Sequence, residues 1–310
     1  MMDFGCDIHP KLRGGCIAVG NFDGVHRGHR QLLRSLRELA AAENTHSIAV
    51  TFHPHPMAIL RPQSAPPLLT TIQHRTELLR SAGVDHVLVL PVTPQLLAVS
   101  ADVFFESFLI RSLNVRGIVE GENFRFGRDR LGGIDDLRKL CDAAAVPLRV
   151  VELSGEYDRE ISSGRIRRLI AAGDVTSAVS LLGRSYSISG TVVRGAERGR
   201  TIGFPTANLA EIATLIPGHG VYAGTCQIGS RKHVAAVCIG PNPTFGDSTS
   251  KVECHIDDFI GDLYDQTLSV ELWQQVRPLE QFRSVDELIA QIRADILACR
   301  AICRDHTGVS

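Results

Sequence analysis

Gly20-Asn-Phe-Asp-Gly-Val-His-Arg-Gly-His29 decides how the first half of this chain is read. It follows a short apolar run at residues 16–20 and precedes Leu32, Leu33, Leu36 and Leu39, which recur at helical spacing. A strand, a glycine-bearing loop and a helix opening near Gly28 make an anion site. The unpaired N–H groups and the positive end of the helix both favour phosphate. His26 and His29, three residues apart, can donate to one phosphate group, and Gly28 leaves room for a nucleotide to approach the backbone. Taken alone, the same residues would suit a solvated surface loop. Their place between an apolar strand and an amphipathic helix favours the anion site.

Outward from this stretch, strand-like runs at 47–52, 86–92, 115–121 and 146–153 alternate with helix-like segments at 71–83, 101–113 and 134–145. That alternation predicts a parallel sheet with helices on both faces, a Rossmann-like α/β domain. Ligands on such sheets bind beyond the carboxyl ends of the strands. After Leu182 the pattern changes. Strand-like runs at 185–193, 221–228, 233–240, 251–259 and 267–276 follow one another, separated by turn signals such as Pro217-Gly218 and Gly261-Asp262. This predicts a small antiparallel β-barrel or sandwich. A terminal helix follows, capped by Ser284 and Glu287 and lined by Leu288, Ile289, Ile292 and Ile296. The helical stretch 165–183 is the joint, which gives domains at 1–182 and 183–310.

Composition narrows the class. The 310 residues suffice for two cores. With 33 Lys and Arg against 34 Asp and Glu, a protein that tracks nucleic-acid phosphates is not favoured. The eight cysteines are scattered without a C-x-x-C pair, which suits reduced, buried thiols rather than a zinc site or disulfide framework. There is no apolar signal region at the start and no apolar run of the ~18–20 residues a membrane span needs. The expectation is a cytoplasmic protein with no nucleic-acid or membrane partner, its oligomeric state left open.

A second glycine-rich stretch lies in the β region: Gly195-Ala-Glu-Arg-Gly-Arg-Thr-Ile-Gly-Phe-Pro-Thr-Ala-Asn208. Gly195, Gly199 and Gly203 would let backbone N–H groups come close to phosphates. Thr206 and Asn208 lie two apart. In an extended segment both side chains point the same way, and their oxygens suit Mg²⁺ on ATP phosphates. The glycines alone would fit a β-turn; the unbroken run from Gly203 to Asn208 argues against that. Further on, Val252, Cys254 and Ile256 alternate with Glu253, His255 and Asp257, so the apolar set can face a core and the polar set a cleft.

The first stretch resembles the nucleotidylyltransferase H-x-G-H signature. More narrowly, it is similar to the FAD synthetase module of the prokaryotic bifunctional riboflavin kinase/FMN adenylyltransferase family. The resemblance continues at Thr51-Phe-His-Pro-His-Pro56, Gly121-Glu-Asn-Phe-Arg-Phe-Gly127 and Ile161-Ser-Ser-Gly-Arg-Ile-Arg167. It implies that His26 and His29 hold ATP phosphates and stabilise the transferred α-phosphate, within a loop that includes Gly20, Phe22, Asp23, Gly24 and Gly28. It further implies that Asn123 helps hold the nucleotide and its metal, and that Ser163, Arg165 and Arg167 close over ATP. Pro54, Pro56 and Phe124 would lie near the flavin, although for Phe124 and Phe126 core packing is the favoured reading over flavin contact.

The second stretch resembles the riboflavin kinase signature of the same family, continuing through Gly220-Val-Tyr-Ala223, Ile239-Gly-Pro-Asn-Pro-Thr-Phe245 and Val252-Glu-Cys-His-Ile-Asp-Asp-Phe259. The resemblance implies that Gly195, Gly199, Arg200, Gly203, Pro205, Thr206 and Asn208 bind ATP, that Thr206 and Asn208 hold Mg²⁺, and that Glu253 is the catalytic carboxylate. For His255, a structural hydrogen bond and a catalytic role stay open. One departure stands out: Gly164 replaces a family threonine. Loss of one hydrogen bond to a charged group costs roughly 1.5–3 kcal/mol, which would slow adenylylation rather than abolish it. The expected function is conversion of riboflavin and ATP to FMN, then of FMN and ATP to FAD and pyrophosphate, without a covalent enzyme intermediate. The alternatives are a kinase with a silent N-terminal module and a non-enzymatic flavin-binding regulator.

Overall fold

The computed structural model describes residues 8–152, 161–196, 198–242 and 247–307. The chain divides into two compact units: residues up to 66 together with 70–162, and residues 67–69 together with 163–310.

The first unit is a five-stranded parallel sheet of β1 (Cys16–Val19), β2 (Ser47–His53), β3 (His86–Pro91), β4 (Gly117–Gly121) and β5 (Leu148–Val151), in the order β3-β2-β1-β4-β5. Strand order therefore reverses beside β1. β1 is buried along its whole length, as an apolar strand in a sheet covered on both faces must be. Cys16 and Ala18 face Leu33, Leu36 and Leu39 of α1 (Arg27–Ala42). Ile17 and Val19 face Phe104, Phe105 and Phe108 on the other side. That second face also carries Leu137 and Cys141 of α3 (Ile134–Ala144), while Leu79 of α2 (Ile72–Ser81) joins the first. The helix predicted over 101–113 widens into a π-helix at Phe104–Ser112, where Leu113 N–H reaches back five residues to Phe108 O at 3.0 Å.

The second unit opens with α4 (Ser163–Ala171) and α5 (Val175–Leu182) and continues with β6 (Tyr186–Val193), β7 (Ala207–Ala210), β8 (Gly220–Ile228), β9 (Arg231–Asn242), β10 (Asp247–Ile256) and β11 (Thr267–Arg277). The six strands close into a barrel, β10-β7-β6-β11-β8-β9, which leaves no free sheet edge. The strand absent from the sequence reading is β7, because four residues with no alternation give no period to detect. α6 (Val285–Thr307) lies against β8, β9 and β11. Its apolar seam buries Ile296 and then runs on to Cys299 and Cys303, both fully buried against Ala223 and Val234. Arg277 on β11 grips Asp295 of this helix with two parallel bonds of 2.9 and 2.8 Å.

By its contacts the chain divides at 162/163, ahead of α4 and α5. α5 packs on β6 and β11, so both helices group with the barrel. Their amphipathic pattern is readable from sequence, but which of two cores takes the apolar face is not.

Candidate active sites

At the carboxyl end of β1, Gly20 hands the chain to a loop in which Phe22 and Val25 take left-handed backbone angles, φ 47° and 38°. Such angles are costly for a β-branched residue and persist only where the surroundings enforce them. Asp23, 1 % exposed, supplies much of that enforcement. Its Oδ1 accepts from Thr70 N at 3.0 Å, Thr70 Oγ1 at 2.9 Å and Arg75 Nη2 at 3.1 Å. Gly24 N in turn donates to Thr70 Oγ1 at 3.2 Å. Asp23 thus turns inward and braces the loop.

The loop ends at His26, the N-cap of α1, whose Nδ1 accepts from His29 N–H at 3.3 Å. A ring nitrogen that accepts carries no proton, so neutral His26 holds its proton on Nε2. The His26 and His29 rings stack at 3.6 Å, 17° from parallel, and Phe22 meets His29 edge-on at 5.2 Å. Burial pushes His29 well below the usual imidazole pKa, with His26 and Arg75 adding to it. His29 Nδ1 is buried and has no hydrogen-bond partner. Two imidazole rings at the positive end of a helix, with one His29 nitrogen unsatisfied, can receive an anion. Gly20, Phe22, Asp23, Gly24, His26, Gly28 and His29 are therefore brought together as one structure.

The remaining first-site residues are placed less uniformly. Pro56 opens a short helix, Pro56–Leu60, capped by His55, and Asn21 Nδ2 lies 3.3 Å from His55 Nε2, tying that segment to the loop. Pro54 is half-buried two residues earlier, and Asn123 is exposed in the turn after β4. Phe124 is half-buried and stacks on buried Phe126 at 5.3 Å, the core arrangement. Ser163, Arg165 and Arg167 belong to the second unit, on the first turns of α4, where Arg167 Nε donates to Pro67 O at 2.7 Å. The sequence reading missed Glu120. Burial pushes its carboxyl well above the usual range, opposed by the bond it accepts from Val19 N–H at 2.7 Å. A lone acid inside Gly117-Ile-Val-Glu-Gly121 was the available signal.

In the second unit, β7 pairs with both β6 and β10, so Asn208 stands opposite Val193 on one side and Glu253 on the other. A Cβ on Gly195 would collide with the Asn208 amide, and one on Gly199 with the Phe204 carbonyl, with Thr206 Oγ1 3.5 Å away. Thr206 and Asn208 therefore both turn toward the glycine loop, and only glycine allows the loop so near. Arg200 is exposed on the short helix Arg198–Thr201, and Gly203 takes φ +89°. Val252, Cys254 and Ile256 are buried at 4 %, 0 % and 7 %, while Glu253 and His255 lie half-exposed on the opposite face. His255 Nδ1 is 2.9 Å from Pro205 O, a carbonyl that can only accept, so His255 fastens the loop to β10. Cys238 stands opposite Glu253 on β9. Burial and the Glu253 charge raise its thiol to about 11, so it stays protonated. Residues 243–245 of the signature at 239–245 lie outside the described residues.

The side-chain oxygens of Thr206 and Asn208 suit Mg²⁺, which accepts few protein ligands and completes its shell with water and phosphate. Among the described residues no group of three or more His, Cys, Asp or Glu is placed to hold a metal by itself. No helix among them is long and apolar enough to cross a membrane.

Comparison with known proteins gives two adjoining matches. The family model for FAD synthetase matches residues 8–165, and that for riboflavin kinase matches residues 182–303. The bifunctional riboflavin kinase/FMN adenylyltransferase of Pseudomonas fluorescens is 36 % identical over 304 residues, 96 % of this chain and 95 % of that one. The protein of the same description from Escherichia coli K12 is 36 % identical over 288 residues, 92 % of each chain. A crystal structure from Streptococcus pneumoniae, described as a macrolide-efflux protein, superimposes with a TM-score of 0.84 at 32 % identity, covering 94 % of this chain and 95 % of its own.

Proposed function

Because the chain belongs to the bifunctional riboflavin kinase/FMN adenylyltransferase family, we propose that each motif constellation carries one of two consecutive transfers at phosphorus. The chain phosphorylates riboflavin to FMN with ATP and adenylylates FMN to FAD, releasing pyrophosphate. One observation carries this reading: both family models match, and each match contains its own assembled loop.

In the kinase, Glu253 accepts the proton of the riboflavin 5′-hydroxyl as that oxygen attacks the γ-phosphate and ADP leaves. Cys238 does not compete as base, since its thiol stays protonated. Thr206 and Asn208 would hold Mg²⁺, which neutralises charge on the ATP phosphates. Gly195, Gly199, Arg200, Gly203 and Pro205 cradle the nucleotide. In the adenylyltransferase, an FMN phosphate oxygen attacks the α-phosphorus and the bond to pyrophosphate breaks. That oxygen is already ionised, so no base is needed. His26 and His29 donate hydrogen bonds to the phosphates, and binding of the anion draws protons onto these rings. Asn123 supports the nucleotide, Pro54, Pro56 and Phe124 border the flavin, and Ser163, Arg165 and Arg167 contact the triphosphate. With Gly164 carrying no hydroxyl, Ser163 is the hydroxyl donor adjacent to it. The domain assignment is adenylyltransferase within 1–182 and kinase within 183–310. Reduced buried thiols accord with a cytoplasmic enzyme.

The test is chromatography of flavins after incubation with Mg-ATP and either riboflavin or FMN. FAD is expected from both. FMN alone from riboflavin, with no FAD from either, would leave a kinase with a silent first module. His29→Ala should lower FAD formation ~10²–10³-fold and spare phosphorylation. Glu253→Ala should lower phosphorylation ~10²–10⁴-fold and spare FAD formation from FMN. Equal loss of both activities in either variant would refute the division of labour.

A further inference from the structure

Glu120 is a buried ionisable group that neither transfer uses, 2 % exposed near the carboxyl end of β4. Val119 joins the core on the α1 face, and Ile118 joins Ile17 and Val19 on the other, so alternation sets Glu120 on the Ile118 face. β1 and β4 pair through Cys16↔Gly117 and Ile17↔Ile118. Two residues beyond Ile17, the Val19 N–H turns to Glu120 Oε1 at 2.7 Å, so a side chain takes the position of a ladder partner. On its other edge Glu120 stays in register with Val150 of β5. The reversal of strand order falls between β1 and β4, the crevice where open parallel sheets hold ligands. Val19 leads directly into Gly20 and the phosphate loop. Burying a carboxyl is costly, and an apolar side chain would fill an interior strand position without that cost.

We propose that Glu120 is a positioning residue for adenylyl transfer: its carboxyl wedges between the ends of β1 and β4 and, through Val19 N–H, sets the backbone from which residues 20–29 reach the α-phosphate. The proposal rests on the adenylyltransferase reading of the first unit. The test compares Glu120→Gln and Glu120→Met, both close to the native length, in the full chain. Steady-state FAD formation from FMN, riboflavin phosphorylation and heat unfolding are followed in parallel. Gln keeps the acceptor for Val19 N–H and should hold kcat within about 3-fold of wild type. Met removes the acceptor and should lower kcat for FAD formation ~10–100-fold, with KM for ATP and FMN little changed. Both should leave riboflavin phosphorylation unchanged; Gln should unfold at or above the wild-type temperature, and Met, which orphans the Val19 N–H, a few degrees below it with the first unit still folded. Wild-type kcat in the Met variant would overturn the proposal, as would a Gln variant as impaired as Met. Loss of the first unit's unfolding transition in the Met variant would make Glu120 a purely structural residue and overturn it too. Wild-type protein that makes FMN but no FAD would overturn the adenylyltransferase reading, and this proposal with it.

Discussion

His29 and Glu120 are both buried, and burial opposes the charged form of each. For His29 this suits the proposed phosphate site, in which uncharged donors act together with the positive potential of the helix terminus. For Glu120 the consequence is a stability that depends on pH. Its folded-state pKa is raised above the usual value of 4.5, so the folded chain keeps a proton that the unfolded chain releases. Unfolding then releases a proton, and stability falls as pH rises from the ordinary carboxylate range toward the folded pKa. Glutamine cannot ionise. Glu120→Gln should therefore gain stability over wild type as pH rises through that window and converge with it in acid. Urea unfolding at a series of pH values measures this, and a difference independent of pH would contradict it.

At the scale of elements, both sites consist of a loop pressed against a regular element by a few directed bonds. In the first unit Asp23, Thr70 and Arg75 hold the loop that His26 joins to α1. In the second, His255 and Pro205 join the glycine loop to β10, while Gly195 admits the Asn208 side chain and Gly199 the Phe204 carbonyl. Gly195→Ala inserts a methyl into the Asn208 amide and must push it from its place opposite Glu253. A displacement of about 1 Å can cost ~10²-fold in rate. Phosphorylation by Gly195→Ala should fall by at least ~10-fold while FAD formation from FMN is unchanged. Assay of both transfers on one preparation decides this, and normal phosphorylation would mean that Asn208 is not held there for catalysis.

At the scale of the molecule, the division at 162/163 has a consequence for where the chain can be cut. Val175, Ala178, Leu181 and Leu182 of α5 are buried at 0–3 %, and α5 packs on β6 and β11. Full burial of a Val or Leu side chain is worth roughly 1.5–3 kcal/mol, and of an Ala methyl about 0.8 kcal/mol. A fragment beginning at Ser163 should fold and phosphorylate riboflavin. One beginning at Gly183 should be less stable by several such increments and should aggregate or melt early. Heat unfolding of the two fragments measures the difference, and equal stability would show that α4 and α5 are dispensable to the barrel.

The sequence by itself determined an α/β first half and an all-β second half, and its two long motifs carried the resemblance from which the two transfers are expected. Apolar periodicity distinguishes alternating strands and helices from successive strands, and the long motifs carry their own backbone requirements. The alternation of Val252, Cys254 and Ile256 with Glu253 and His255 gave the burial of β10 directly, because strand side chains alternate faces without reference to neighbours. Only the tertiary structure decided what depends on residues distant in the chain. Asp23 turns inward because Thr70 and Arg75 receive it. The four-residue β7 is a strand because β6 and β10 pair with it. α4 and α5 join the barrel, and Glu120 lies in the crevice beside β1, because long-range packing and strand order put them there. Local pattern carries a period and a motif; it carries no record of which partner closes a hydrogen bond or which core receives an apolar face.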